Sequence, residues 1–143
     1  MLTIIEKVIF LQAIPEFAEI PTEQLGHIAS ITKEVELEPG ITLIRQDEPA
    51  AALYLILQGK VRLDRDGKEI MIAGEKGVIG TWSLFDREQP NIATAVTLEP
   101  TQFLKIDREE FFEVVADYVE IAQGIFKSLA GRIRGIQQIL EKH

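Results

Sequence analysis

From Gly77 to Val96 the chain reads GVIGTWSLFDREQPNIATAV, and these residue types suit capture of an anion. A glycine turn at Gly80 leading into a short helix aims backbone N–H groups outward, where the helix dipole favours negative charge. Thr81, Ser83, Asn91 and Thr94 add neutral donors and acceptors. The candidate ligand-binding residues are therefore Gly80, Thr81, Trp82, Ser83, Leu84, Asn91, Ile92, Ala93 and Thr94. The segment lacks a positioned cation, because Arg87, flanked by Asp86 and Glu88, reads as a solvated loop residue. This is the chemistry of binding rather than of bond making.

No catalytic set accompanies it. His27 and His143 stand far apart in a chain without cysteine, so neither a metal site nor a Ser/His/Asp triad is expected. Asp64, Asp66, Glu69 and Glu75 imitate a calcium loop, but Gly67 comes too early and Lys68 occupies a ligand position, which makes a hairpin tip the better reading. The function class is non-enzymatic, and no cofactor is expected.

The elements that must position the segment follow from patterning. A chain of 143 residues, 46% hydrophobic and 27% charged, has the size and composition of one folded domain. Fifteen Lys and Arg against 23 Asp and Glu give a net charge of −8, which argues against direct contact with nucleic acid or anionic membranes. No apolar run is long enough to span a bilayer, and the lack of cysteine suits a cytoplasmic protein. Lys127, Arg132, Arg134 and Lys142 make the last helix basic, which complements its dipole.

Leu2, Ile5, Ile9 and Leu11 recur at helical spacing and predict a first helix packed on a core. A second begins with Thr22 as its cap, buries Leu25, Ile28 and Ala29, and ends at Ile31. From Thr32 the period changes to two. Val35 and Leu37, then Leu53, Leu55 and Leu57, Val61 and Leu63, Ile70 and Ile72, and Ile92, Thr94, Val96 and Leu98 mark the apolar faces of successive strands. Pro39-Gly40 turns the chain, and Asp66-Gly67 is a two-residue hairpin signal. Asp107, three residues before Glu110, resembles the start of a capping box for a helix over REEFFEVVAD. The fold class is α+β, a single domain over 1–143 with helices about 1–31, an antiparallel β-roll about 32–106 and C-terminal helices about 107–141.

The Gly77–Val96 segment resembles the phosphate-binding cassette of the cyclic-nucleotide-binding domain family, whose pattern runs roughly F-G-E-x-A-L, then P-R-x-A-T/S-V. Ile14-Pro15, Pro21-Thr22, the Gly40 turn with Arg45-Gln46, Tyr54-Leu55-Ile56, Gly59-Lys60-Val61, Phe111-Phe112 and Leu129 to Arg134 extend the resemblance over roughly residues 8–135. It implies a jelly-roll (double-stranded β-helix) sensor with cyclic AMP or cyclic GMP as the candidate ligand. Two charged positions of the pattern are replaced. Thr81 stands where the family has the glutamate that holds the ribose hydroxyl, and Asn91 where it has the phosphate-binding arginine. A hydrogen bond to a charged group contributes about 1.5 to 3 kcal/mol, so losing the arginine predicts binding roughly ten- to a hundred-fold weaker. The pocket therefore binds nothing, binds a cyclic nucleotide weakly, or takes another small ligand, in that order of expectation. Asp47-Glu48 also replaces the Gly-Asp usual after Arg-Gln.

Ile121, Ile125, Leu129, Ile133, Ile136 and Leu140 form an apolar seam on the last helix. Its later half extends beyond what a small roll shields, which predicts a homodimer through Ile125, Leu129, Ile133, Ile136 and Leu140. The resemblance further implies Ile136 and Gln137 as a lid over the ligand, and a tethered output domain as the alternative partner.

Overall fold

The period-two stretches become β1 (Lys33–Leu37), β2 (Thr42–Ile44), β3 (Ala52–Gln58), β4 (Val61–Arg65), β5 (Lys68–Ala73), β6 (Val78–Ile79), β7 (Thr94–Thr97) and β8 (Thr101–Asp107). They are seen in a computed structural model that describes residues 1–81, 86 and 88–142. Two antiparallel four-stranded sheets result, ordered β1-β8-β3-β6 and β2-β7-β4-β5. That interleaving of early and late strands is the jelly-roll order. The chain divides into two compact units, residues 31–111 and residues 1–30 with 112–143.

In the unit of residues 31–111, Ile56, Val61, Ala73, Ile79, Ala95 and Phe103 form a buried cluster, with Leu43, Ile44, Tyr54 and Leu63 packed against it. β3 is buried on both faces, since Leu53 and Leu55 have exposures of 1% and 0% although their side chains alternate with Ile56. The hairpin between β4 and β5 forms where Asp66-Gly67 predicts it, with positive φ at both residues (53° and 80°) and Arg65 paired with Lys68. That is the backbone a type I′ turn requires.

Two strand faces differ from expectation. β7 buries Ala95 and Thr97, with Ala93 just before it, whereas Ile92 is 52% exposed and Leu98 37%. Small residues fit the closely packed interior, and the Thr97 hydroxyl donates to the Glu38 carbonyl at 2.6 Å and accepts from Ile41 N at 2.9 Å. The larger apolar side chains thus mark the outer face. β5, paired only with β4, exposes Ile70, Met71 and Ile72 alike. A bulge opposite Leu63 and Asp64 breaks its alternation.

In the other unit, α1 (Ile4–Gln12) is capped by Thr3 in a reciprocal capping box with Glu6. The hydrogen bond from the Thr3 backbone, then that of its side chain, holds the Glu6 carboxyl below its usual range. Leu11 is buried, but Ile5 and Ile9 are 73% and 61% exposed, so the packed face of α1 is not the expected stripe. Leu11 leads directly into the buried Ile14 and Phe17 of a 3-10 turn over Pro15–Phe17, and these residues select the face.

In α2 (Thr22–Ile31) Leu25, Ile28 and Ala29 are buried as expected. Thr22 is its first helical residue rather than its cap. The Pro21 carbonyl accepts from Gln24 N and Leu25 N, and the Thr22 hydroxyl accepts from Gln12 Nε2 at 2.9 Å. α3 (Arg108–Asp117) follows β8 directly. Asp107 spends its carboxylate on Lys33 Nζ at 2.9 Å, on a neighbouring strand, instead of on a capping box.

α4 (Val119–Glu141) buries Ile121, Gly124 and Ile125. A Cβ on Gly124 would lie 2.7 Å from Ile20 Cα, so only glycine lets the backbones approach this closely. His27, expected on the surface, is half-buried and stacks on Tyr118 with centroids 3.8 Å apart. Arg132 pairs with Glu16. Beyond Ile125 the apolar side chains are uncovered, rising from 39% exposure at Leu129 to 58% at Ile133, 59% at Ile136 and 70% at Leu140. No helix among the described residues is long and apolar enough to cross a membrane.

Candidate ligand-binding site

β6 ends at Gly80, whose φ of 98° is closed to side-chain-bearing residues at low cost. A Cβ there would also meet the Ala52 carbonyl oxygen at 2.8 Å. Glycine is required because β6 runs against β3, with Tyr54 opposite Ile79, and the chain must leave that pairing tightly. Thr81, next to it, is half-buried. Trp82, Ser83, Leu84 and Arg87 lie outside the described residues.

The exit of the segment is built differently from a ligand clasp. Asn91 has an exposure of 4%, and its side-chain amide donates to the Arg45 carbonyl at 3.0 Å. Asn91 N donates to the Glu48 carbonyl and Asp47 N to the Asn91 carbonyl, both at 2.9 Å. The Thr94 hydroxyl accepts from Gln46 N at 2.9 Å. Polar groups of Asn91 and Thr94 therefore brace the β2–β3 loop. Asp47 holds the left-handed turn expected to suffer from losing a glycine, at φ 65°, a region aspartate tolerates better than most residues. Gln46 also grips the β4–β5 hairpin tip, donating to the Asp66 carboxylate and accepting from Asp66 N, each at 2.8 Å. Ala93 is buried and Ile92 faces outward. Ile136 and Gln137 lie on exposed turns of α4.

Sequence reasoning missed the cleft beside this brace. It has a volume of about 440 Å³ and is walled by Ile44, Arg45, Glu48, Ala50, Ala52, Tyr54, Lys105 and Asp107, a volume within the range of small-molecule sites. Tyr54 packs edge-on to Phe103, and the Lys105 ammonium lies 6.0 Å above the Tyr54 ring. The hydrogen bond from Lys33 keeps the Asp107 carboxyl below its usual range, against the opposing effect of burial and with help from the Lys33 and Lys105 charges. The same bond, with the charges of Asp107 and Glu110, raises Lys33. The signal in the sequence was the register of β3 and β8, which sets Tyr54 opposite Lys105 and Ala52 opposite Asp107. Among the described residues no group of three or more acids or histidines is placed to hold a metal.

The model of the cyclic nucleotide-binding domain matches residues 34–118, more than half of the chain. The chain belongs to the cyclic nucleotide-binding domain family. Among its relatives, a CRP-like cAMP-activated global transcriptional regulator of Mycobacterium tuberculosis is 33% identical over 75% of this chain and 51% of its own length. A cyclic AMP receptor protein of Thermus thermophilus is 30% identical over 84% of this chain and 57% of its own. The chain thus spans about half the length of the curated relatives it matches. Among solved structures, the N-terminal domain of a transcriptional regulator from Streptomyces coelicolor superposes with a TM-score of 0.79 at 30% identity, covering 90% of this chain and 95% of that one. The cyclic nucleotide-binding fold and its regulatory class follow, and the β-roll seen here is that fold.

Proposed function

We propose that this chain is a non-catalytic sensor module of the cyclic nucleotide-binding type whose cassette has lost its charged clasp. Cyclic nucleotide binding is weakened or lost, and the module acts by pairing its last helix with a second copy. The observation that carries this is Asn91: at the position of the phosphate-binding arginine stands a buried amide already bonded to a backbone carbonyl. A neutral amide cannot give the paired, charge-assisted bonds of a guanidinium. Titration of cyclic AMP and cyclic GMP against the fluorescence of Trp82, the sole tryptophan, tests the first half. Saturation at low micromolar concentration by either nucleotide would refute it.

The pairing rests on the uncovered apolar face of α4, where Leu129, Ile133, Ile136 and Leu140 are exposed at successive turns. Leu129→Glu with Ile136→Glu should halve the mass seen in sedimentation, and an unchanged mass would remove the helix from the interface. The alternative partner is an output domain, since relatives of about twice this length carry the name of transcriptional regulators. A net charge of −8 supports placing any nucleic-acid contact outside this segment.

A further inference from the structure

The site still holds one cation that the family pattern does not supply, and it comes from a strand rather than from the cassette. Along β4, Val61 is fully buried and Leu63 packs on the core cluster of the roll. Side chains alternate along a strand, so Arg65, two places further, shares the inner face where the strand ends. The β4–β7 register runs without a break from Val61↔Thr97 to Asp64↔Thr94, and its next step sets Arg65 beside Ala93. The contact made there agrees, because Arg65 Nη1 lies 3.5 Å from the Ile92 carbonyl oxygen. That is the outer limit for a hydrogen bond.

We infer that Arg65 is the cationic contact for a small phosphorylated ligand, taking over from β4 the charge that position 91 no longer carries. The inference rests on the sensor reading above and names a recognition residue within it. Neighbouring acids do not compete for this guanidinium. Asp64 pairs with Arg62 at 3.0 Å, the Asp66 carboxylate is taken by Gln46, and among the described residues Arg65 pairs with no carboxylate. A long contact to one carbonyl is readily exchanged for two bonds to phosphate oxygens. Gly80, on the strand that pairs with β3, keeps the tight turn through which backbone amides reach such an anion.

Calorimetric titration of the full chain with cyclic AMP, with inorganic phosphate as competitor, tests this in the wild type, Arg65→Gln and Arg65→Lys. The expected result is weak cyclic AMP binding that phosphate displaces, at least tenfold weaker in Arg65→Gln and less impaired in Arg65→Lys. The NMR signal of the Arg65 Nε–H should shift on addition of cyclic AMP to the wild type, which keeps the test decisive if the glutamine variant fails to fold. Equal affinity of Arg65→Gln and wild type, an unmoved Nε–H signal, or no binding of either probe by the wild type would each overturn the inference. Low-micromolar binding that Arg65→Gln abolishes would sustain it while refuting the weakened-clasp reading, so the two fail separately.

Discussion

Replacing Asn91 with alanine removes one side-chain amide from a site of 4% exposure and leaves the main chain in place. The two backbone bonds of the brace, Asn91 N to Glu48 O and Asp47 N to Asn91 O, survive the change. The bond lost is the 3.0 Å contact to the Arg45 carbonyl. A neutral hydrogen bond contributes about 1 kcal/mol net, and an acceptor left without its donor adds about 1 to 3 kcal/mol when buried. Because Arg45 lies on an open loop, the lower part of that range applies and the total is about 2 kcal/mol. For a chain of this size the melting temperature should fall by about 6 °C, read by circular dichroism and checked by urea denaturation. Asn91→Arg, designed to restore the clasp, forfeits the same bond and must also seat a guanidinium in the space of an amide. It should be at least as destabilised and gain no affinity. An alanine variant within about 0.5 kcal/mol of wild type would show that the brace is incidental and that Asn91 is available for another task.

Two further outcomes rest on local geometry. Gly124→Ala should destabilise, because its Cβ would meet Ile20 at 2.7 Å, whereas Gly131→Ala and Gly135→Ala meet nothing within 4 Å and should each stabilise α4 by up to about 1 kcal/mol in thermal melts. An equal response at all three positions would contradict the close contact at Gly124. The Lys33–Asp107 pair sets both ends of a pH profile. Asp107, held low, contributes stability that is full above the ordinary aspartate range and lost as pH falls through its lowered value. Lys33, held high, contributes stability that is full below the ordinary lysine range and lost as pH rises through its raised value. Asp107→Asn should flatten the acid limb of stability against pH, and an unaltered limb would assign it to other carboxylates.

The family and the architecture were legible in the sequence because turns and spacing are local. Asp66-Gly67 fixed a hairpin by backbone conformation alone, and the Leu53 to Leu57 run marked the strand that lies at the heart of its sheet. Faces were harder to read. On β7 the apolar residues Ile92, Val96 and Leu98 suggested the inner side, but a narrow interior selected Ala93, Ala95 and a hydrogen-bonded threonine. On α1 the strongest stripe was overruled by the single buried Leu11 and by Ile14 and Phe17 in the adjoining turn. At the site, the substitution of Asn91 was visible but its partner was not, since Arg45 lies 46 residues earlier. Arg65 was hidden for the same reason: only the pairing of β4 with β7 brings it to Ile92.

In the interleaved sheet order β8 sits between β1 and β3, so Thr101 to Asp107 must reach partners as distant as Lys33. On the ribosome, then, half of the roll has no template until the last strand has emerged, and pairing at such sequence separation is slow. Until that moment β3 offers Leu53, Leu55 and Ile56 to whatever is near, with only the two residues of β6 as neighbour. Nascent chains halted before Thr101 should therefore be sticky and need a chaperone, and the fold should arrive late and nearly all at once.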